Sequence, residues 1–227
     1  MTTQTRTALD ALRTQCDVLT RLVAELEAHE WERPTRCPPM SVLDLVAHLI
    51  NVAKGTASLA RTDASGQEPN TDRAKWWVMP DRRPPADILA ASQAAAAELD
   101  PVSATEALDA GVRDMIDALG AVAPNAVVGS ENRWRVLAAE ELAASRVLEV
   151  GVHTMDLGHA TLRGERLDDS AAAIIVDILD TLLGQPRPKT LGWDARTYIL
   201  NGTGRRHLEP NERFTLGPLA GRFPLVQ

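Results

Sequence analysis

The stretch Arg146-Val-Leu-Glu149-Val-Gly-Val-His153-Thr-Met-Asp156 lies inside a segment whose other residues have the pattern of the core face of a long helix. Arg146, Glu149, His153 and Asp156 follow one another at spacings of three, four and three. At about 100° per residue, all four fall within roughly 80° of one another on a helix. Leu142 and Ala138 continue the stripe toward the N-terminus, so ionisable groups occupy a row where a bundle helix should be apolar. Burying charges without partners costs several kcal/mol, and such a row requires a metal, mutual pairing or a ligand. Glu149 and His153, at i and i+4, can aim a carboxylate and an imidazole at one ion.

Outward from this row the chain reads as a succession of helices. Residues 7–30 carry Leu12, Cys16, Leu19, Leu22, Val23 and Leu26 at helical period. Pro34, Pro38 and Pro39 break the pattern. Ser41 opens the next helix as an N-cap, with Asp44 three residues on, and Val42, Leu45, Val46, Leu49, Ile50 and Ala53 form its core face to about residue 60. Residues 61–85 are polar and irregular yet contain Trp76, Trp77 and Met79, as either a functional loop or a packed connection. Helices are predicted over 86–100 and 104–120, separate or kinked at Pro101, and 124–130 is a loop. The long helix is predicted from about residue 132 to 162. Asp168 or Asp169 caps a further helix to Leu183. In the tail, Asp194 caps a short helix through Leu200, with a β-hairpin over 196–200 as the alternative, and 209–219 forms another short helix.

Composition narrows the function. The 227 residues include five Trp, two Phe and one Tyr and carry a formal net charge of −7. Few aromatics with abundant Ala and Leu favour helices over a sandwich or barrel. No dense Lys/Arg stripe exists, which argues against nucleic acid and anionic membrane surfaces as partners. Apolar runs fall short of the ~20 residues of a membrane span, and residues 1–10 lack the apolar core of a signal peptide. Cys16 and Cys37 then read as reduced thiols of a cytoplasmic protein, and no Cys-x-x-Cys zinc motif is present.

Two ligands on one helix do not close a metal site; a catalytic zinc commonly takes three protein donors and keeps one position open. His29, His48, His159 and His207 are the candidates. His159 lies six residues beyond His153, about 240° round the helix, and faces elsewhere. His29 sits at a helix end and His207 in the tail. His48 lies on the flank of an apolar helix beside Leu45 and Val52, where a neighbouring helix can meet it, and is the best third ligand.

The stretch Trp31-Glu-Arg-Pro-Thr-Arg-Cys-Pro-Pro-Met-Ser-Val-Leu-Asp-Leu-Val-Ala-His48-Leu resembles the Pro-Thr-x-Cys-Pro-Gly-Trp-Ser-Val-x-Asp-Leu-x-x-His-Leu signature of the mycothiol-dependent maleylpyruvate isomerase family. A second family signature, Arg-x-x-Glu-x-x-x-His-x-x-Asp-Leu, is matched by Arg146, Glu149, His153, Asp156 and Leu157. The resemblance spans residues 5–163. It implies an all-α fold, a DinB-like antiparallel four-helix bundle over residues 1–163, with residues 164–227 as a short helical C-terminal extension packed on it. It further implies that His48, Glu149 and His153 hold a divalent metal, usually zinc, and that mycothiol is the thiol cofactor or cosubstrate.

Two departures qualify what the resemblance implies. Pro38-Pro39-Met40 replaces the common Pro-Gly-Trp, removing an aromatic wall from the loop before His48. Many family members also end in an α/β domain resembling a sterol carrier protein, which supplies an arginine to the isomerase reaction; the tail here resembles a shorter, helical ending. Arg82, Arg83, Arg205, Arg206 and Arg222 are the candidates for an anion clamp in its place. The expected activity is zinc-dependent activation of the thiol toward a small electrophile, by S-transfer or thiol-assisted cis–trans isomerisation. Arg146 and Asp156 would orient Glu149 and His153. The competing class is a non-catalytic helical-bundle binding protein. The oligomeric state, monomer or homodimer, is left open.

Overall fold

The computed structural model describes residues 7–80, 83–130 and 134–226. Its framework is a bundle of α1 (Ala8–Ala24), α2 (Val42–Arg61), α4 (Pro101–Gly120) and α5 (Ala139–Ala160), with α3 (Pro85–Ala96) lying against α2. The residues buried on α1 include Leu12, Cys16, Leu19, Leu22 and Val23, the face given by its helical period. Ser41 caps α2 as expected: its hydroxyl accepts from the Asp44 amide at 3.1 Å, and the Asp44 carboxylate accepts from the Ser41 amide at 2.9 Å. Such a box contributes about 1 kcal/mol and fixes where the helix carrying His48 begins. The 20 residues of α2 are long and apolar enough to cross a membrane, contrary to expectation, but half of the qualifying stretch is buried inside the protein.

The central helix is α5. Leu142, Val147, Leu148, Val150, Met155 and Leu157 are all buried, so apolar residues surround it rather than lining one stripe. It packs against α1, α2 and α6 (Asp169–Leu183). Its end is covered by the returning chain, where a Cβ on Gly158 would lie 2.0 Å from the Gly164 carbonyl oxygen. Gly158→Ala is therefore expected to cost about 3 kcal/mol, because the atom in the way is backbone. Urea unfolding checks this, and a midpoint equal to the parent's would mean that the turn gives way freely.

The long helix starts later than predicted. Val136–Ala138, assigned from sequence to its first turns, form strand β2, which pairs antiparallel with β1 (Val127–Gly129), itself expected to be loop. The physical reason is remote pairing. The Ala64 amide donates to the Val127 carbonyl at 3.0 Å and the Asn70 amide to the Val136 carbonyl at 2.9 Å, so the 61–71 segment supplies partners that an isolated stretch does not reveal. Pro101 begins α4 as a separate helix, with Asp100 capping it. Asp168 caps α6, and Asp194 caps α7 (Ala195–Gly202), so residues 196–200 are helix and not hairpin. The last helix, α8 (Pro210–Leu216), is shorter than expected because Gly217, at φ 56°, ends it. The chain then returns to α7, where the Leu225 and Val226 amides both donate to the Gly202 carbonyl.

Candidate metal centre

α2 delivers His48 to α5, where Glu149 and His153 lie one turn apart. His48 Nε2 is 2.8 Å from Glu149 Oε1, and His153 Nε2 is 3.6 Å from the same oxygen. The two imidazoles meet edge to face with centroids 5.1 Å apart. The three donor atoms lie within 4.8 Å of one another. Two N/O donors on a tetrahedral zinc sit about 3.3 Å apart, so this set fits such an ion with little movement. Asp156 stands behind His153, its Oδ2 accepting from Nδ1 at 3.1 Å, which leaves Nε2 facing Glu149 and His48. A carboxylate on the far nitrogen of a ligand histidine is the usual means of fixing its tautomer and ring orientation.

Around Asp156 lies a second layer that the sequence reading did not contain. The carboxylate, fully buried, also accepts from Arg205 Nη2 at 3.0 Å and from the Cys37 thiol at 3.3 Å. Arg205 Nη2 in turn lies 3.3 Å from Cys37 Sγ. Cys37, His153 and Asp156 thus form a second group of potential ligands sharing His153. The only sequence signal for Cys37 is its place in the Pro-Thr-x-Cys-Pro motif. Burial opposes charge on Glu149, His153 and Asp156, but the hydrogen bonds and charges around them prevail. Glu149 is held well below the usual carboxylate range by His153 and His48. His153 is raised well above the ordinary histidine value by Asp156, Cys37 and Glu149.

That balance sets a pH dependence for metal binding. In the metal-free chain, His153 holds a proton at pH values where a free histidine has lost its own, and a metal must displace it. Apparent zinc affinity should therefore fall by about tenfold per pH unit while one proton is displaced. The fall should already be under way above 6.5, the ordinary histidine value. A competition titration from pH 8.5 to 5.5 checks this, and a flat profile would argue against histidine ligation.

Two cavities meet at the cluster, sharing His48, Glu149, Trp77, Arg83 and Ile88. One, about 580 Å³, extends along α2 toward the hairpin, past Trp76, Arg146 and Arg135. The other, about 450 Å³, opens past Cys37, Pro38, Met40, Leu89, His153 and Arg205. Met40 lines this second cavity, and Trp77 supplies an indole to both. Trp76 and Trp77 are thus both buried and wall-forming. Arg146 places its guanidinium carbon 4.4 Å from the Trp76 ring centroid.

The remaining candidates separate cleanly. His29, His159 and His207 are exposed, His159 next to Arg36. Arg83 and Arg205 stand on the cavities. Arg206 binds Asn201 and Glu212, and Arg222 donates to the Leu182 carbonyl at the end of α6. Arg82 lies outside the described residues.

The framework is an all-α bundle in which two histidines and a carboxylate converge from two facing helices, consistent with the expected DinB-like bundle. The family model of the mycothiol maleylpyruvate isomerase N-terminal domain matches residues 12–158, and the chain belongs to that family. Among solved structures, it is similar to a mycothiol-dependent maleylpyruvate isomerase at 18% identity and a TM-score of 0.54. It is similar to a histidine-to-alanine mutant of such an isomerase at 17% identity and a TM-score of 0.55. Each alignment covers 76% of this chain and 68% of the other. No curated protein sequence matches it.

Proposed function

We propose that this protein is a metal-dependent enzyme that directs a low-molecular-weight thiol, mycothiol, onto a small electrophile. The observation that carries the reading is the His48–Glu149–His153 cluster at the junction of two cavities, with Asp156 behind His153. Zinc or a similar divalent ion held by these three residues would supply Lewis-acid activation, lowering the pKa of a bound thiol below the ~8.5 of a free one. The chain's own groups do the rest. Asp156 keeps His153 Nδ1 protonated, so Nε2 faces the ligand position. Arg205 balances the buried Asp156 carboxylate, and Arg83 presents a cation at the junction. Apolar walls at Leu89, Leu148 and Val152 exclude water from the reacting atoms.

The reaction begins with the thiolate sulfur forming a bond to an electrophilic carbon. In S-transfer the leaving group departs with its electron pair. In isomerisation the saturated bond rotates, the carbon–sulfur bond breaks and the thiolate returns unchanged. The family and the similarity to isomerase structures favour the second course for an isomerase-like enzyme. Residues 1–163 would form the metal-binding bundle, and 164–227 an extension that closes the site through Arg205. Reduced Cys16 and Cys37 accord with a cytoplasmic location.

Chelation tests the proposal. The bundle buries extensive apolar seams of its own, so removing metal should leave the circular dichroism helical while mycothiol addition to 1-chloro-2,4-dinitrobenzene stops. An unchanged thiol reaction after chelation would make the metal incidental and leave a helical-bundle binding protein as the better description.

A further inference from the structure

The 450 Å³ cavity on the Cys37 side is walled differently from its neighbour. On α5, Leu148 and Val152 stand one residue before Glu149 and His153, so an apolar row runs beside the proposed metal donors. Both are buried. Ile88 and Leu89 of α3 and Met40 of the loop before α2, all half-buried, continue the wall. Val226 adds a buried surface from the C-terminal tail, anchored by its amide to the Gly202 carbonyl at 3.0 Å. The charged groups here are mostly committed. Arg205 donates to Asp156 and to the Thr203 carbonyl, and Glu149, the sole carboxylate among the described lining residues, is engaged by His48 and His153. Arg83 is exposed at the junction and shared by both cavities. The cavity toward the hairpin, by contrast, offers Asn51, Ser58, Thr62, Ser92 and Ser130.

The volume falls in the range of small-molecule sites, about 300–1,000 Å³. Each methylene that leaves water for an apolar wall raises affinity about three- to fourfold. A charged or hydroxyl-rich group placed against the same wall loses hydrogen bonds to water that Leu148, Val152, Leu89 and Met40 cannot return. The two reactants therefore have different homes at one centre. We infer that the cavity walled by Leu148 and Val152 receives the electrophile, and that this electrophile is an uncharged molecule with an alkyl or aryl body. Its reactive carbon reaches the cluster at Glu149 and His153, while the polar thiol takes the neighbouring cavity. The inference deepens the proposed function and rests on it.

The test uses the full chain, zinc-free and zinc-loaded. Neutral N-phenyl-1-naphthylamine serves as the fluorescent probe, and the straight-chain alcohols from butanol to octanol compete with it. The expected result is saturable probe binding in both forms, with alcohol affinity rising about three- to fourfold for each added methylene. Leu89→Gln and Met40→Gln should each weaken the probe at least about fivefold. Phe214→Gln, at an exposed apolar residue of α8 away from the cavity lining, should leave it unchanged. Circular dichroism identifies any variant that fails to fold, and the alcohol series on the parent chain stands without variants. In zinc-dependent addition of mycothiol to 1-chloro-2,4-dinitrobenzene, octanol should compete with the electrophile and not with mycothiol. Competition with mycothiol instead, alcohol affinity that does not grow with chain length, or probe binding lost in Phe214→Gln would overturn the assignment and leave the metal reading intact. Alcohol binding to a chain that shows no zinc-dependent thiol addition would overturn the proposed function, and the assignment with it.

Discussion

Alanine at His48, at Glu149 or at His153 is expected to leave a chain without stoichiometric metal and with thiol-dependent turnover reduced on the order of 10³-fold. The three donors converge from two helices, His48 from α2 and the others from α5, and any two of them close only part of the coordination sphere. A Lewis acid contributes several kcal/mol to stabilising developing charge, and about 4 kcal/mol corresponds to three orders of magnitude in rate. Elemental analysis of each purified variant, with the rate measured on the same sample, checks the expectation. A His48→Ala protein that keeps one tightly held zinc per chain would remove His48 from the site. The outcome for Glu149→Ala carries further information. Its oxygen lies between both histidines, so its loss should also weaken the contact between α2 and α5 in the metal-free chain.

Asp156→Ala is expected to be the most damaging change outside the three donors themselves. Asp156 is completely buried and is the common acceptor for His153, Arg205 and Cys37. Removing it strands the Arg205 guanidinium and frees the His153 ring, and leaving a buried charge without its partner costs about 3–5 kcal/mol. Loss of the group that orients a metal-ligating histidine costs about 10–100-fold in metal affinity. The two effects are measured separately, by urea unfolding of the zinc-free chain and by zinc competition. Burial opposes the Asp156 charge, but His153 and Arg205 outweigh it and hold the carboxyl well below the usual carboxylate range. A depressed carboxyl contributes stability above its unfolded value, near pH 4, and loses it as pH falls toward the folded one. The parent should therefore be more stable than Asp156→Ala at pH 7 and lose that margin in acid. A cost under 1 kcal/mol at pH 7 would mean that water replaces the carboxylate, and that Asp156 does not organise the site.

The parts of the molecule that could be read from sequence are those set by local rules. The cap at Ser41, the apolar faces of α1 and α2 and the polar row on α5 all follow from spacing within one helix. The pairing of His48 with Glu149 could be inferred because an apolar helix flank must meet a neighbour. What escaped depends on contacts far apart in the chain. Arg205 reaches Asp156 across 49 residues and Cys37 across 168, and nothing in its neighbourhood sets it apart from Arg206, which serves Glu212 instead. Strand β2 escaped for a related reason. Its stretch was assigned to the first turns of α5, whereas the partners of β2 come from β1 and from Asn70. A helix-period reading has no means of seeing a strand stabilised from the 61–71 segment.

Titrating the metal-free chain with zinc while following mycothiol addition to 1-chloro-2,4-dinitrobenzene tests the metal-dependent thiol chemistry most directly. The rate should rise linearly and break at one zinc per chain, and the His48→Ala chain should show no rise over the same range. A parent rate that is already full without zinc, or that climbs past one equivalent in parent and variant alike, would contradict it.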